Sequence, residues 1–210
     1  MITIADALRP PFARPSAAEG EPRAAVRAPR AASLAFDLAL VLAGGALIAL
    51  SARVAIPLPF SPVPITGQTF AVLLVGAALG RWRGAAAVLA YLAEGAAGLP
   101  VFAGAHTGPS ALVGPTAGYL FGFVPGAWLC GYLAERGWDR TIAGTAAAML
   151  LGNVAIFAVA LPWLARYVGA ANVWALGFWP FLPGDAVKIG LAAAVLPLAW
   201  RWVGTRPAPR

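Results

Sequence analysis

The chain has 210 residues, of which 60% are hydrophobic and 11% are charged. Because a soluble globular domain carries about 25% charged residues, this composition excludes most soluble folds. The 24 glycines and 19 prolines lie among long apolar stretches and show no collagen-like or linker-like period. Residues 85–91 are apolar at every position, whereas a membrane β-barrel requires alternating apolar and polar residues. The composition therefore predicts an all-α integral membrane protein.

The formal net charge of +7 would suit nucleic-acid binding if the basic residues were clustered on one face. Most of them instead fall before the first apolar stretch or in short gaps between apolar stretches, as in the cytoplasmic loops of membrane proteins. We therefore expect no nucleic-acid partner. A single cysteine and a single histidine make a structural zinc site implausible, and we expect no metal or cofactor in this chain.

Three regions follow from the distribution of apolar residues. Residues 1–32 lack an apolar segment, which predicts a flexible basic cytoplasmic tail and not a cleavable signal peptide. Residues 33–203 are predicted to form the transmembrane domain, and residues 204–210 a cytoplasmic tail. Stretches of about 20 apolar residues indicate six spans, of which the second and third are short. The predicted spans are 33–53, 66–80, 84–98, 114–134, 141–165 and 180–202.

The positions of the basic residues predict the topology. With the N-terminus inside, six spans place most of the 15 basic residues on the cytoplasmic side and leave Arg53 and Arg166 at the outer side. We therefore expect both termini to be cytoplasmic, in a multi-pass protein surrounded by the lipid of the cytoplasmic (inner) membrane. No internal repeat is visible, which counts against a transporter built from inverted halves.

Ala35, Ala39 and Ala43 recur at a spacing of four in the first span and share one helix face. Small residues let another helix approach closely in a membrane. The row is compatible with packing inside the chain and with docking of a separate membrane subunit, and the spacing does not distinguish them.

Asp185 and Lys188 are the most informative charged residues, because they lie three residues apart at the start of the last span. A charge at membrane depth costs about 3 kcal/mol and needs a partner, water or a ligand. An internal ion pair is one interpretation, and a polar ligand site in an apolar cavity is the other. Asp185 precedes Arg201 by about 16 residues, or about 24 Å of helix, so a ligand would reach it from outside. A carboxylate beside an ammonium suits a molecule with N–H donors next to a carbonyl.

Three further regions contribute candidate binding residues. A polar segment opens the second span, an acidic residue lies beside a tyrosine in the third, and a glycine-rich outer loop precedes the fourth. Helix capping, an interhelical hydrogen bond and a plain flexible connection are the respective alternatives. The candidate residues in these regions are Gln68, Tyr91, Glu94, Gly104, Thr107, Gly114 and Tyr119.

Enzymatic activity is not expected, because the sequence contains no Walker A, G-x-S-x-G or H-E-x-x-H motif. A membrane enzyme that uses Asp185, Lys188 and Glu94 on a lipid would lack a nucleophile with its base. A self-sufficient transporter or facilitator of another small solute is the main alternative to a subunit that needs partners.

Four ordered motifs carry a resemblance to a known family: V-P-I-T-G-Q-T at 63–69, G-L-P-V-F-A-G at 98–104, G-P-T-A-G-Y at 114–119 and F-L-P-G-D-A-V-K at 181–188. From about residue 36 to 203, the chain resembles the BioY family, the biotin-specific S components of energy-coupling factor transporters. The resemblance implies a six-helix subunit that captures biotin from outside. It also implies coupling to a transmembrane T component and ATPase subunits through small residues of the first helix, which favours the docking role of the alanine row.

The resemblance also implies roles for individual residues. Asp185 and Lys188 would belong to the biotin site, with the two ureido N–H groups facing the carboxylate and the ureido carbonyl facing the ammonium. The valeryl carboxylate of biotin would be bound at the outer loop by a backbone N–H group or by a hydroxyl. The candidates for that contact are Gly104, Gly108, Gly114 and Thr107.

Overall fold

The structure is a computed structural model that describes residues 2–10, 30–104 and 108–204. The described residues are mostly helical, as predicted, with 3-10 turns at Gly108–Leu112, Trp138–Arg140 and Trp179–Phe181. The helices are α1 (Ile4–Ala7), α2 (Arg30–Ser51), α3 (Gln68–Leu79), α4 (Arg81–Ala96), α5 (Ala117–Ala134), α6 (Ile142–Val168), α7 (Val173–Gly177) and α8 (Leu182–Gly204).

Four helical segments of the described residues are long and apolar enough to cross a membrane. They are Ala31–Ser51, Ala117–Ala134, Ile142–Val168 and Val173–Val203, and they overlap the predicted first, fourth, fifth and sixth spans. The predicted second and third spans correspond to α3 and α4, with 12 and 16 residues. At about 1.5 Å per residue, both are shorter than the hydrocarbon core of about 30 Å. The chain is a multi-pass membrane protein, and α3 and α4 are the short helices among its six predicted spans.

Two glycines explain how α3 packs at the centre of the molecule. Gly76 lies so close to α5 that an added Cβ would be 2.4 Å from the carbonyl oxygen of Ala127. Close approach of this kind holds helices together in lipid, where no water is expelled from the contact. Gly80 separates α3 from α4 with a φ of 88°, a conformation that glycine adopts at little cost. The chain therefore reverses at Gly80 and packs both short helices against α5.

The two faces of α2 differ sharply in burial. Gly44, Gly45 and Ile48 are buried on the side that packs against α4. Ala35, Ala39 and Ala43 are all exposed. The alanine row therefore does not serve packing among the described residues, and the intramolecular interpretation of its spacing is wrong for this part of the chain.

A two-stranded ribbon before α3 departs from the all-α prediction. The strands β1 (Ala55–Ile56) and β2 (Ile65–Thr66) pair antiparallel. Four prolines lie between residues 57 and 64, and proline cannot donate a helical hydrogen bond. The Ser61 hydroxyl donates to the carbonyl of Leu176 at 2.7 Å, which ties this loop to α7. The ribbon therefore fixes where α3 begins.

Residues 2–10 differ from the predicted flexible tail, because they form α1 and its caps. The Asp6 N–H donates to the Thr3 hydroxyl at 3.2 Å, and the Thr3 N–H donates to the Asp6 carboxylate at 3.2 Å. This reciprocal arrangement is a capping box, which satisfies two N–H groups at the start of a helix. Residues 11–29 and 205–210 of the two predicted tails lie outside the described residues.

Ion pairs join α1 to the starts of α2 and α4. Arg83 lies 2.7 Å from the Asp6 carboxylate and 3.0 Å from that of Asp37. Arg9, which is only 6% exposed, also pairs with Asp37 and donates to the Ser33 hydroxyl at 2.7 Å. Composition alone marked this segment as a tail, but charges of opposite sign on distant helices hold it in place.

We expect Asp6→Asn to loosen the N-terminal segment and to lower the free energy of unfolding by about 1 kcal/mol, because it removes the ion pair with Arg83 and weakens the capping box. Burial acts to raise the pKa of Asp6, but hydrogen bonds from Arg83 and Thr3 outweigh it, and the pKa is lowered. The stabilisation is therefore present above the pKa of an unfolded aspartate, about 4, and is lost as the pH falls through the lower folded value.

Limited proteolysis and thermal unfolding in detergent, at neutral pH and near pH 3, measure this effect. The wild type should lose its advantage over Asp6→Asn at the acidic pH. Equal protease resistance of the two proteins at neutral pH would contradict the proposed stabilisation.

Candidate ligand-binding site

A cavity lies between α3, α5, α6 and α8, and its empty volume is about 690 Å³ including the open mouth. Four residues predicted from the sequence line it: Gln68, Tyr119, Asp185 and Lys188. The complete lining comprises Val63, Pro64, Thr66, Gln68, Thr69, Phe102, Ala103, Ala111, Thr116, Tyr119, Leu120, Phe123, Asn153, Ile156, Phe157, Phe181, Asp185 and Lys188. The cavity is therefore mostly apolar, with a few polar groups on its walls.

Asp185 and Lys188 form an ion pair on the α8 wall, with 3.2 Å between Lys188 Nζ and Asp185 Oδ1. Lys188 Nζ also donates to the Thr69 hydroxyl of α3 at 2.8 Å. An ammonium has three N–H donors, so these two bonds leave one for another acceptor. Asp185 is 4% exposed, and its Oδ2 is buried without a hydrogen-bond partner among the described residues. The pair thus neutralises its own charge and still offers one acceptor and one donor to a ligand.

The local sequence explains why this pair lies at the cavity wall. The 3-10 turn Trp179–Phe181 leads directly into α8, and Asp185 falls in the first turn of that helix. A carboxylate near a helix N-terminus is favoured by the exposed N–H groups of the first turn. Lys188 follows one turn later on the same face, as the spacing predicted.

Gln68 is held by a tyrosine beneath it. Its Nε2 donates to the Tyr91 hydroxyl at 2.5 Å, and Tyr91 is 0% exposed. The Tyr91 ring packs edge-on against Phe102, with 5.3 Å between the ring centroids. Tyr91 does not line the cavity, so its role in the structure is to position Gln68 and Phe102, which do.

An aromatic wall faces the polar groups. The ring of Tyr119 packs against those of Phe157 and Phe181, at centroid distances of 6.2 Å and 5.8 Å. The Tyr119 hydroxyl donates to the carbonyl of Gly177, so its polar end is satisfied. These rings give the cavity a surface suited to an apolar ring of a ligand.

Several predicted residues do not line the cavity. Glu94 is half-buried and lies outside the lining. Gly104 is exposed, and Gly114 accepts a hydrogen bond from Trp163 Nε1 at 2.9 Å instead of facing the cavity. Thr107 lies outside the described residues.

The outer loop reaches the cavity through neighbours of the predicted glycines. Phe102 is buried against Gly95, where an added Cβ would meet its ring at 2.0 Å. This insertion, together with the anchoring bond from Trp163, directs Ala103 and Thr116 to the cavity. Such anchors come from distant helices, which is why the sequence identified the loop but not the residues that face inward.

Asn153 of α6 is a cavity residue that the sequence reasoning missed. It is 5% exposed, and its Oδ1 is buried without a partner in the described part of the chain. The available signal was a lone amide within a long apolar helix, because polar side chains inside membrane spans usually have a partner or a function.

Comparisons with known proteins agree with this architecture. The BioY family profile matches residues 24–205. The chain is 40% identical over 166 residues to the biotin transporter BioY of Rhizobium etli, covering 75% of this chain and 89% of that protein. It is 42% identical over 151 residues to the biotin transporter BioY of Thermotoga maritima, covering 71% and 87%.

The fold is also similar to a solved structure, the S-component for biotin from an ECF-type ABC transporter. The TM-score is 0.72 at 25% sequence identity, covering 80% of this chain and 93% of the solved one. The BioY family profile, which matches residues 24–205, spans all four motifs noted in the sequence. The chain belongs to the BioY family.

Proposed function

We propose that this chain is the substrate-binding S component of an energy-coupling factor transporter and that it captures biotin from outside the cell. The observation that carries the proposal is the Asp185 and Lys188 pair on the cavity wall, which leaves one carboxylate oxygen and one ammonium N–H free. The ureido ring of biotin presents the complementary N–H donors and carbonyl. The names of its BioY relatives, which are biotin transporters, support the same ligand.

In this proposal each side of the cavity binds a different part of biotin. Asp185 accepts from the ureido N–H side, and Lys188 donates to the ureido carbonyl. The sulfur-containing ring of biotin packs against Tyr119 and Phe181. Gln68 contributes an amide held by Tyr91. The valeryl carboxylate extends toward the outer loop, where Gly104, Gly108, Gly114 and Thr107 remain the candidate donors.

The proposal includes the topology and the partners. Six helices, α2 to α6 and α8, cross the cytoplasmic (inner) membrane with both termini inside, and residues 33–203 form the binding domain. The short α3 and α4 both pack against α5, which supports their crossing as members of the same helix bundle. A transmembrane T component docks on the exposed alanine row of α2, and ATPase subunits supply the energy. The solved S-component from an ECF-type ABC transporter supports this assembly.

Retention of radiolabelled biotin by the chain tests the proposed ligand. The chain, expressed without other transporter subunits and solubilised in detergent, should co-purify with about one biotin per molecule. Excess unlabelled biotin should displace the label. Lipoate should not displace the label, because it lacks the cyclic urea although it shares the valeryl carboxylate. Absence of retained label at nanomolar and micromolar biotin would contradict the proposal, and displacement by lipoate would show that the urea is not recognised.

A further inference from the structure

Two side-chain oxygens in the cavity are buried and lack hydrogen-bond partners among the described residues: the carboxylate Oδ2 of Asp185 and the amide Oδ1 of Asn153. The first belongs to α8 and the second to α6. A buried acceptor without a donor is destabilising, because it has lost its hydrogen bonds to water and gained none in the protein. Each of them therefore favours a ligand that brings its own N–H group.

The interhelical role that a membrane amide often has does not account for Asn153. Its neighbour Gly152 packs tightly, since an added Cβ would lie 2.5 Å from the Leu73 side chain of α3. Asn153 itself lies on the cavity wall with Ile156 and Phe157. α6 thus uses Gly152 for helix packing and presents Asn153 to the ligand space.

The polar groups of the cavity complement a neutral cyclic urea. The urea has two N–H donors and one carbonyl acceptor, while the cavity has two unpartnered acceptors and one ammonium with a remaining N–H. One carboxylate and one ammonium cancel in charge, and an amide adds the second acceptor without adding charge. A second carboxylate at this position would instead favour a cation.

We propose that Asn153 determines specificity, because its Oδ1 accepts the ureido N–H that Asp185 does not bind. This inference rests on the proposed function, and it assigns the two N–H groups to different helices. It explains why the ligand must be a neutral urea and not a guanidinium, its cationic counterpart.

Two variants test the assignment by isothermal calorimetry on the chain in detergent. Asn153→Leu keeps the side-chain size and removes the acceptor, and biotin affinity should fall on the order of 10- to 100-fold. Asn153→Asp adds a negative charge, and the ratio of 2-iminobiotin affinity to biotin affinity should rise at least tenfold over the wild type, because the guanidinium form of that analogue is cationic.

Thr145→Val is the matched control on the same helix. Thr145 is buried, but its hydroxyl donates to the carbonyl of Thr141 at 2.8 Å and does not line the cavity. Its biotin affinity should remain within about twofold of the wild type.

The outcomes separate this inference from the proposed function. If the wild type binds biotin and Asn153→Leu binds it equally well, the assignment of Asn153 is overturned and the proposed function stands. An unchanged analogue ratio in Asn153→Asp also overturns it, even if Asn153→Leu fails to fold. If the wild type does not bind biotin, both proposals fail.

Discussion

Replacing Asp185 with Asn is expected to weaken biotin binding well beyond tenfold. A hydrogen bond to a charged group contributes about 1.5 to 3 kcal/mol, which corresponds to about 10- to 100-fold in affinity. The substitution preserves the shape of the side chain but removes its charge, and it leaves Lys188 without the carboxylate that now lies 3.2 Å away. The apolar walls around the pair keep water from replacing the lost interaction.

Asp139→Asn provides a matched control for this prediction. Asp139 is also buried, at 1% exposure, but it lies in the 3-10 turn before α6 and accepts from Trp200 Nε1 at 2.6 Å. Burial raises the pKa of Asp139, and the residue does not line the cavity. Calorimetry with biotin should therefore give nearly wild-type affinity for Asp139→Asn and strongly reduced affinity for Asp185→Asn.

Unchanged biotin affinity in Asp185→Asn would exclude the carboxylate as a ligand group. Thermal unfolding of both variants in detergent distinguishes a lost contact from a lost fold. If both lose affinity together with stability, the effect belongs to folding and the role of Asp185 in binding is contradicted.

The sequence was sufficient for those features that depend on local spacing. The helical class followed from composition, and four predicted spans coincide with long apolar helices. The separation of Asp185 and Lys188 placed them on one face of α8, where they form an ion pair, one of the two interpretations, and also line the cavity. The short second and third spans were visible as short apolar stretches.

Features that depend on contacts between distant residues were not predictable from spacing. Asn153 is one amide in a long apolar helix, and its place on the cavity wall depends on how α6 packs, with Gly152 against α3. Likewise, Arg9 resembles any other arginine of a basic tail, but it pairs with Asp37, which lies 28 residues away. The inward-facing residues of the outer loop depend in the same way on where Phe102 inserts.

The second large effect is expected at the surface of α2, where Ala39→Trp should abolish biotin uptake and preserve biotin binding. Ala39 is exposed, and the opposite face of α2, with Gly44 and Gly45, packs against α4. A bulky side chain at position 39 therefore points away from the rest of the chain and should not disturb the fold. It does prevent the close approach that small residues allow between membrane helices.

Uptake of radiolabelled biotin into biotin-starved cells that express all transporter subunits measures this effect, and co-purification of the T component measures docking. Ala158→Trp is the control, because Ala158 is an exposed alanine on α6. The Ala158 variant should take up biotin normally, whereas the Ala39 variant should lose both uptake and the T component.

Normal co-purification of the T component with Ala39→Trp would mean that the alanine row is not the docking surface. Loss of biotin binding in the solubilised variant would mean that α2 supports the cavity, so that impaired uptake would no longer report docking.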